Sequence, residues 1–293
     1  MTVSFGRLRN DDLVESRSKK RDVCSAFDGW RPGFRLDLTV TCQDSYHTDE
    51  GVATSPKLQK KMSGIKCNYW AGRGLMEVPR FCLAIAGKEY EDWRCTNGTG
   101  DLGNTLDSNL GRLPTINCAE GTVGQSAAIN FYIASECGLM GSSTFEAAKI
   151  IEFSEHIKEL NTAFRALVPW GSTPSEEKMA IFFDSEEATD YEGPADGSKR
   201  SARQLKWFLG RMEKLVGGDG FAVGGKLSLA DVLLYNMFAD KLAPGKGEPF
   251  ESAARTDAAL DKCPKIKACI ASVADHENVK KWLVTRASLP YNF

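Results

Sequence analysis

The stretch Leu113-Pro114-Thr115-Ile116-Asn117-Cys118-Ala119-Glu120-Gly121-Thr122-Val123-Gly124-Gln125-Ser126-Ala127-Ala128-Ile129 decides the fold. Its first six residues read as a strand opened by Pro, which has no N–H for a ladder and suits a strand's first residue. Glu120-Gly121 gives a turn, a two-residue strand remnant follows, and a helix starts at Gln125 that Gly138 can cap. Such a short hairpin needs more sheet to pair with, and the upstream sequence supplies it. A short strand, Ile65 to Trp70, leads through a Gly-containing turn to a helix whose Leu75, Val78, Cys82 and Ile85 recur at helical spacing. Pro79 lies early in that helix, where a lost N–H matters least. A second strand runs from Tyr90 to Cys95, and a Gly- and Asn-rich loop, Thr96 to Gly111, joins it to the hairpin. The order β-α-β-loop-β-β-α within about 75 residues predicts a small α/β sandwich.

Past Gly141 the strand signals stop. Ser143-x-x-Glu146 is a capping box opening a long helix with an Ile150, Ile157, Phe164, Leu167 stripe, ended by Pro169. Thr173-Pro174-Ser175-Glu176 starts another by the same device, with Pro at the first helical position. Leu205, Phe208, Met212 and Leu215 make a third stripe, closed by Gly217-Gly218-Asp219-Gly220. Ser228-x-x-Asp231 caps Leu229 to Ala239, which is apolar on every side and predicts the central buried helix. Pro264 opens a further helix, and Val279, Trp282 and Leu283 mark the last. Asp184 to Asp196 is acidic, carries Gly193-Pro194 and reads as a mobile loop. The chain therefore divides into a mostly irregular extension, 1–62, with one strand-like run at Phe34 to Thr41; an α/β domain, 63–139; and an all-helical domain, 140–293, with an acidic loop at 184–200.

Composition excludes several functions. Lys plus Arg (37) against Asp plus Glu (39) leaves a net charge of −2 over 293 residues, without the basic excess that phosphate neutralisation demands, so nucleic acid is not an expected partner. Apolar runs fall well short of the about 20 residues needed for a membrane span. Nine cysteines are an odd count with no C-x-x-C and sit in apolar segments, which reads as reduced core thiols. His47, His156 and His276 are far apart, and no Cys or His pair has zinc-ligand spacing. Residues 1–22 mix acids with bases and lack an apolar export core.

Three pieces, in this order, carry a family resemblance: Tyr69-Trp70-Ala71-Gly72-Arg73-Gly74-x-x-Glu77-x-x-Arg80, then Gly111-Arg112-Leu113-Pro114, then Gln125-Ser126-x-Ala128-Ile129. With Phe221-x-Val223-Gly224-x-x-Leu227-Ser228-x-Ala230-Asp231, the chain resembles a cytosolic glutathione transferase, closest to the sigma class that includes the glutathione-dependent prostaglandin D synthase. The resemblance spans about residues 64 to 286. It implies a thioredoxin-like α/β domain at 63–139 that binds glutathione, an all-α domain behind it, a homodimer and a cytoplasmic location. The implied reaction is conjugation of glutathione to a hydrophobic electrophile, or a glutathione-dependent isomerase or peroxidase reaction. The alternative is a non-catalytic binding or assembly subunit acting through residues 1–62, which would meet a protein partner, and through the inserted acidic loop.

Glutathione offers two carboxylates, an amine and a thiol, and the quoted residues answer each. By the resemblance Tyr69 stabilises the thiolate; a phenolic hydrogen bond is of the right order to lower a thiol pKa by about two units, or ~2.7 kcal/mol. Gln125 and Ser126 open a helix whose free N–H groups favour the γ-glutamyl carboxylate, although a plain N-cap explains the same residues. Leu113-Pro114 implies a cis peptide that presents the Leu113 backbone to the cysteinyl part, a geometry only X-Pro reaches cheaply. Leu75 stands where the class usually has an Arg beside the phenol. The Trp and Lys that usually precede Gly-Arg-Leu-Pro have no counterpart in Thr96 to Asn109, which leaves Arg112 for the glycine carboxylate. Glu152, Glu155 and Glu159 share one helix face; Glu155 or Glu159 would reach a dimer partner's glutathione amine, or the stripe is simply solvated. Trp170 corresponds loosely to a Trp lining the second-substrate pocket, or stacks on the helix end. No metal is implied. Cys67, which shares Tyr69's face by period two, reads as core.

Overall fold

A computed structural model describes residues 64–95, 98–169, 172–185, 203–242 and 250–289, all within one compact unit spanning 54–293. The extension 1–62 with its strand-like run, Trp170, and the acidic loop beyond Ser185 lie outside the described residues.

Strands β1 (Lys66–Trp70), β2 (Glu91–Cys95), β3 (Thr115–Cys118) and β4 (Gly121–Gly124) form one mixed sheet in the order β2-β1-β3-β4. β1 and β2 are parallel, as a helical crossover requires, and that crossover is α1 (Glu77–Ile85). The other two pairings are antiparallel. Cys67, Ile116, Phe81, Cys82 and Leu83 are fully buried between the sheet and its helices α1 and α2 (Ser126–Glu136).

Two sequence readings change here. The strand remnant is a full four-residue strand, because the Ala119-Glu120 turn sets Cys118 opposite Gly121 and the hairpin zips from there. Its glycines hid it, and Gly124 is obligatory: a Cβ would stand 2.6 Å from the Ser108 carbonyl oxygen. Leu75 belongs to a 3-10 turn, Gly74–Met76, and is exposed, while Met76 takes the core position. The loop before the hairpin carries its own 3-10 turns, Gly100–Asn109, broken at Gly103.

Among the described residues the helical part comprises α3 (Thr144–Leu167), α4 (Glu176–Asp184), α5 (Leu205–Leu215), α6 (Leu229–Tyr235), α7 (Ser252–Leu260), α8 (Pro264–Ala274) and α9 (Glu277–Ala287). At α3 only half the expected box forms: Ser143 Oγ accepts from the Glu146 N–H, but the Glu146 carboxylate takes the N–H of Ser142 instead. α4 is capped by Ser175, which accepts from the Lys178 N–H at 3.4 Å, so Pro174 precedes the cap rather than opening the helix. In α5 the stripe drifts, leaving Leu215 exposed and Val216 buried. α7 was invisible because its buried row, Ser252, Thr256 and Leu260, is mostly polar; Thr256 Oγ1 donates to the Ser252 carbonyl at 2.7 Å.

α6 is the central helix expected from its all-round apolarity, with every residue buried. Beyond Tyr235 it widens into a π-helical segment, Asn236–Lys241, so the α-helix is shorter than the apolar run. Asp231 and Ser228 form the capping box. The Asp231 carboxylate accepts from Ser228 N–H and Oγ–H, both at 2.8 Å, and from Ala222 N–H at 2.7 Å. Burial pushes its pKa up, against those hydrogen bonds, which pull it down.

A buried ionic network joins the sheet domain to the helices. Glu77 Oε1 accepts from Arg286 Nη1 (2.8 Å) and Trp282 Nε1 (2.9 Å), and its Oε2 faces Arg80 Nη1 (3.3 Å). Arg286 also pairs with Asp240 (2.8 and 3.0 Å), which Arg73 reaches at 3.2 Å. Arg80 closes the other end on Asp92 at 2.9 Å.

Replacing Asp231 by Ala strips the carboxylate from three buried donors and is expected to cost about 2–4 kcal/mol of stability. At roughly 2–4 °C per kcal/mol for a chain of this size, thermal unfolding followed by circular dichroism would register it. An unmoved melting temperature would contradict the capping role.

Candidate functional site

Sheet register assembles the candidate site. Asn68 pairs with Thr115, and Thr115 pairs with Gly124. One residue further along each strand therefore sets Tyr69, Pro114 and Gln125 side by side at the same end of the sheet. Three motifs far apart in sequence become one row.

Tyr69 is buried at the end of β1, with its phenol laid against Gly74. Gly74 has φ +45°, and a Cβ there would stand 2.5 Å from the phenol oxygen, so only glycine permits this turn to seat the ring. The turn is held from below, where Arg80 Nη1 donates to the Gly72 carbonyl at 2.8 Å.

Beside it, the Leu113–Pro114 peptide is cis. Buried Asn109 fixes this segment: its Nδ2 donates to the carbonyls of both Arg112 and Pro114, each at 3.0 Å, and so brackets Leu113. Sequence reading passed over Asn109; the available signal was an Asn placed just before a Leu-Gly-Arg turn, where its amide can replace backbone partners. Arg112 is exposed, its Nε donating to the Asn109 carbonyl at 3.3 Å.

Gln125, not Ser126, is the N-cap of α2, in the unusual conformation φ 66°, ψ 125°, and its side chain makes no cap bond. Ser126 is the first helical residue and half-buried. The first-turn N–H groups of α2 thus lie beside Pro114 without a side-chain cap, and the positive end of the helix dipole faces the row.

Sequence reading missed two cations, one of them within electrostatic reach of the phenol. Arg165 of α3 lies within Coulombic reach of Tyr69; burial lowers its pKa, and the phenol raises it. Lys241, the last residue of the π-helical segment, donates to Asn161 Oδ1 on α3, one turn before Arg165. Burial and then the Arg165 charge lower the Lys241 pKa to about 8. The overlooked signal was Asp240-Lys241, a charged pair ending an otherwise apolar helix. Leu75 supplies no cation, being exposed in the 3-10 turn.

Glu155 and Glu159 are exposed on α3, Glu155 pairing with Lys158 at 3.0 Å. They are not brought to the row within this chain. Cys67 is wholly buried; desolvation and then the charge of Asp92 push its thiol up to about 12, against the pull of Arg80.

Comparison with known proteins gives a consistent result. Residues 179–286 match the family described as "Glutathione S-transferase, C-terminal domain". A Caenorhabditis elegans protein named "Probable glutathione S-transferase 5" is 28% identical over 236 residues, covering 78% of this chain and 100% of the relative. Among solved structures, a major nematode glutathione S-transferase specific to C. elegans superposes with a TM-score of 0.57 at 27% identity, over 78% of this chain and 99% of that one. Monomeric Na-GST-3 of the hookworm Necator americanus gives 0.55 at 25% identity, over 76% and 97%. The fold of the described residues is the glutathione S-transferase fold, a small mixed sheet followed by a helical domain.

With its pKa near 12 the Cys67 thiol is ionised on the order of one part in ten thousand at pH 8. Alkylation of the native protein with iodoacetamide at pH 8, read by peptide mass spectrometry, should leave Cys67 unmodified until the chain is unfolded. Rapid native labelling would mean that Cys67 is a reactive thiol.

Proposed function

We propose that this chain, which shares fold and sequence with the glutathione S-transferases, is a glutathione transferase in which Tyr69 stabilises the thiolate that attacks a hydrophobic electrophile. The observation that carries the reading is the row Tyr69, Pro114, Gln125 at one sheet end, with the phenol seated on Gly74. Residues 63–139 form the glutathione-binding part and 140–293 the part that faces the second substrate. The γ-glutamyl carboxylate sits on the Ser126 amide and hydroxyl beside Gln125, where the α2 N–H groups and dipole favour an anion. The cysteinyl backbone runs along Leu113 at Pro114, and Arg112 meets the glycine carboxylate.

The phenol O–H then donates to the glutathione sulfur. Its hydrogen bond is stronger to the thiolate than to the thiol, so it favours the anion selectively and shifts the thiol pKa downward. Arg165 places positive charge on the same side and adds to the effect. That cation answers the loss at Leu75 and favours a working enzyme over a non-catalytic subunit. The sigma-class assignment rests on the motif resemblance, and with it a cytoplasmic homodimer. Exposed Phe131 on α2 and Phe145 and Ile151 on α3 provide an apolar surface for a second copy, with Glu155 and Glu159 on the same helix α3. No helix among the described residues is long and apolar enough to cross a membrane.

Calorimetric titration with glutathione tests the binding half of this reading, and a silent titration would end it. Ser126→Ala is expected to weaken binding by about 1.5–3 kcal/mol, the worth of a hydrogen bond to a charged group. The ultraviolet thiolate band of bound glutathione tests activation. It should titrate below the free thiol's pKa in the wild type and move up in Tyr69→Phe with little change in affinity. Gly74→Ala, which drives a Cβ into the phenol, should imitate Tyr69→Phe. An unshifted thiol in the wild type would leave a binding protein without transferase chemistry.

A further inference from the structure

Asn109 makes four hydrogen bonds to the segment 112–114 that leads into β3. Its Nδ2 donates to the carbonyls of Arg112 and Pro114, each at 3.0 Å, and its own carbonyl accepts from the Arg112 N–H at 3.1 Å and from Arg112 Nε at 3.3 Å. The residue these bonds enclose is Leu113, whose N–H and C=O are bonded to no other group among the described residues. Both therefore stay available to a ligand while the carbonyls on either side are turned toward Asn109. Nor can Asn109 move aside. It is buried, and a Cβ on Gly124 would stand 2.6 Å from its own Cβ, so β4 packs on it as closely as a glycine permits. Its Oδ1 is buried without a partner. Turned over, the amide would set that oxygen against two carbonyl oxygens and lose both bonds. An unpaired buried acceptor is costly, so the position holds Asn for the two bonds its nitrogen makes.

The preceding stretch gives a reason for such a device. Residues 96–109 contain no Lys, Arg, His or Trp, and their charged residues are Asp101 and Asp107. This stretch offers a peptide with two carboxylates neither a cationic side chain nor an indole face. What it can offer is backbone, and a backbone group binds well when it is held in place beforehand. We infer that Asn109 is a positioning residue of the glutathione site: by fixing the carbonyls on both sides of Leu113 and the base of the Arg112 side chain, it sets how tightly the tripeptide is held, while the thiol is left to Tyr69. The inference rests on the transferase reading, which supplies the tripeptide.

Calorimetry with S-methylglutathione tests it, because that ligand keeps both carboxylates and the cysteinyl backbone but has no ionisable thiol. Asn109→Asp keeps the size and puts an acceptor where the donor was; Asn109→Leu removes the donor without adding charge. Each should weaken binding by about tenfold with the number of binding sites unchanged. A residue of merely structural worth would instead reduce the fraction of chains that bind and leave the affinity of the rest as it was. Asn109→Ser keeps a donor on a side chain too short to span both carbonyls; it should fall between the wild type and Asn109→Leu, and it carries the test if the larger changes prevent folding. With glutathione itself at saturation, the thiolate band of Asn109→Leu should titrate where that of the wild type does, since the phenol is untouched. Unchanged affinity, a fall in the number of sites alone, or a displaced thiolate band in Asn109→Leu would overturn the positioning role and leave the transferase reading standing. A wild type that binds neither S-methylglutathione nor glutathione would end the transferase reading, and the positioning role with it.

Discussion

The carboxylate of Glu77 is shut away from water, and the arrangement of the molecule follows from what replaces that water. A buried charge without partners costs several kcal/mol, and Glu77 finds its partners in two places. Arg80 stands one turn along the same helix, while Trp282 and Arg286 arrive from α9 at the far end of the chain. The second set exists only when α9 is docked on α1, so satisfaction of this one carboxylate and assembly of the sheet domain with the helical domain are a single event. Burial alone lowers the Arg286 pKa, yet the hydrogen bonds and charges of Asp240 and Glu77 raise it overall. The network is charged as drawn.

The same interaction reaches the candidate site from both sides. Arg80, held between Glu77 and Asp92, donates to the Gly72 carbonyl and thereby fixes the turn whose Gly74 seats the Tyr69 phenol. Arg286, held by Glu77, anchors Asp240, which directly precedes Lys241 at the end of the π-helical segment. A residue pair that links two domains thus also sets where the phenol and the cation lie. Such ion networks repay their desolvation poorly as stability; their effect here is positional. The π-helical turn fits this, since wide turns of that kind often occur at functional sites.

Legibility in the sequence followed the range of the interaction. Elements whose signals are local were read well: α6 from its Ser228–Asp231 box and unbroken apolarity, α8 from Pro264 at its first position, and β1 and β2 as short strands at Ile65 to Trp70 and Tyr90 to Cys95. Elements defined by a partner were not. β4 is Gly-Thr-Val-Gly, a poor strand by propensity, and exists because β3 lies opposite it and Gly124 lets the preceding loop pack closely. α7 buries Ser252 and Thr256, whose hydroxyl finds a carbonyl that no periodicity rule can foresee. Leu75 kept helical spacing with Val78 and Cys82 but lost its place in the stripe because the turn before α1 tightens to 3-10 geometry around the Tyr69 ring.

For the site, the sequence by itself determined which residue types are present and at which element ends they fall: Tyr69 closing a strand, Pro114 opening one, Gln125 and Ser126 starting a helix. Those follow from local rules of chain geometry, which a linear reading can apply. Only the tertiary structure decided that the three share a row, because register is fixed by pairing between strands rather than within them. It alone placed Asn109 around Leu113, and it alone brought Arg165 within electrostatic reach of the phenol and Lys241 onto Asn161 of α3. Electrostatic reach depends on distance through space, and the sequence carries distance only along the chain.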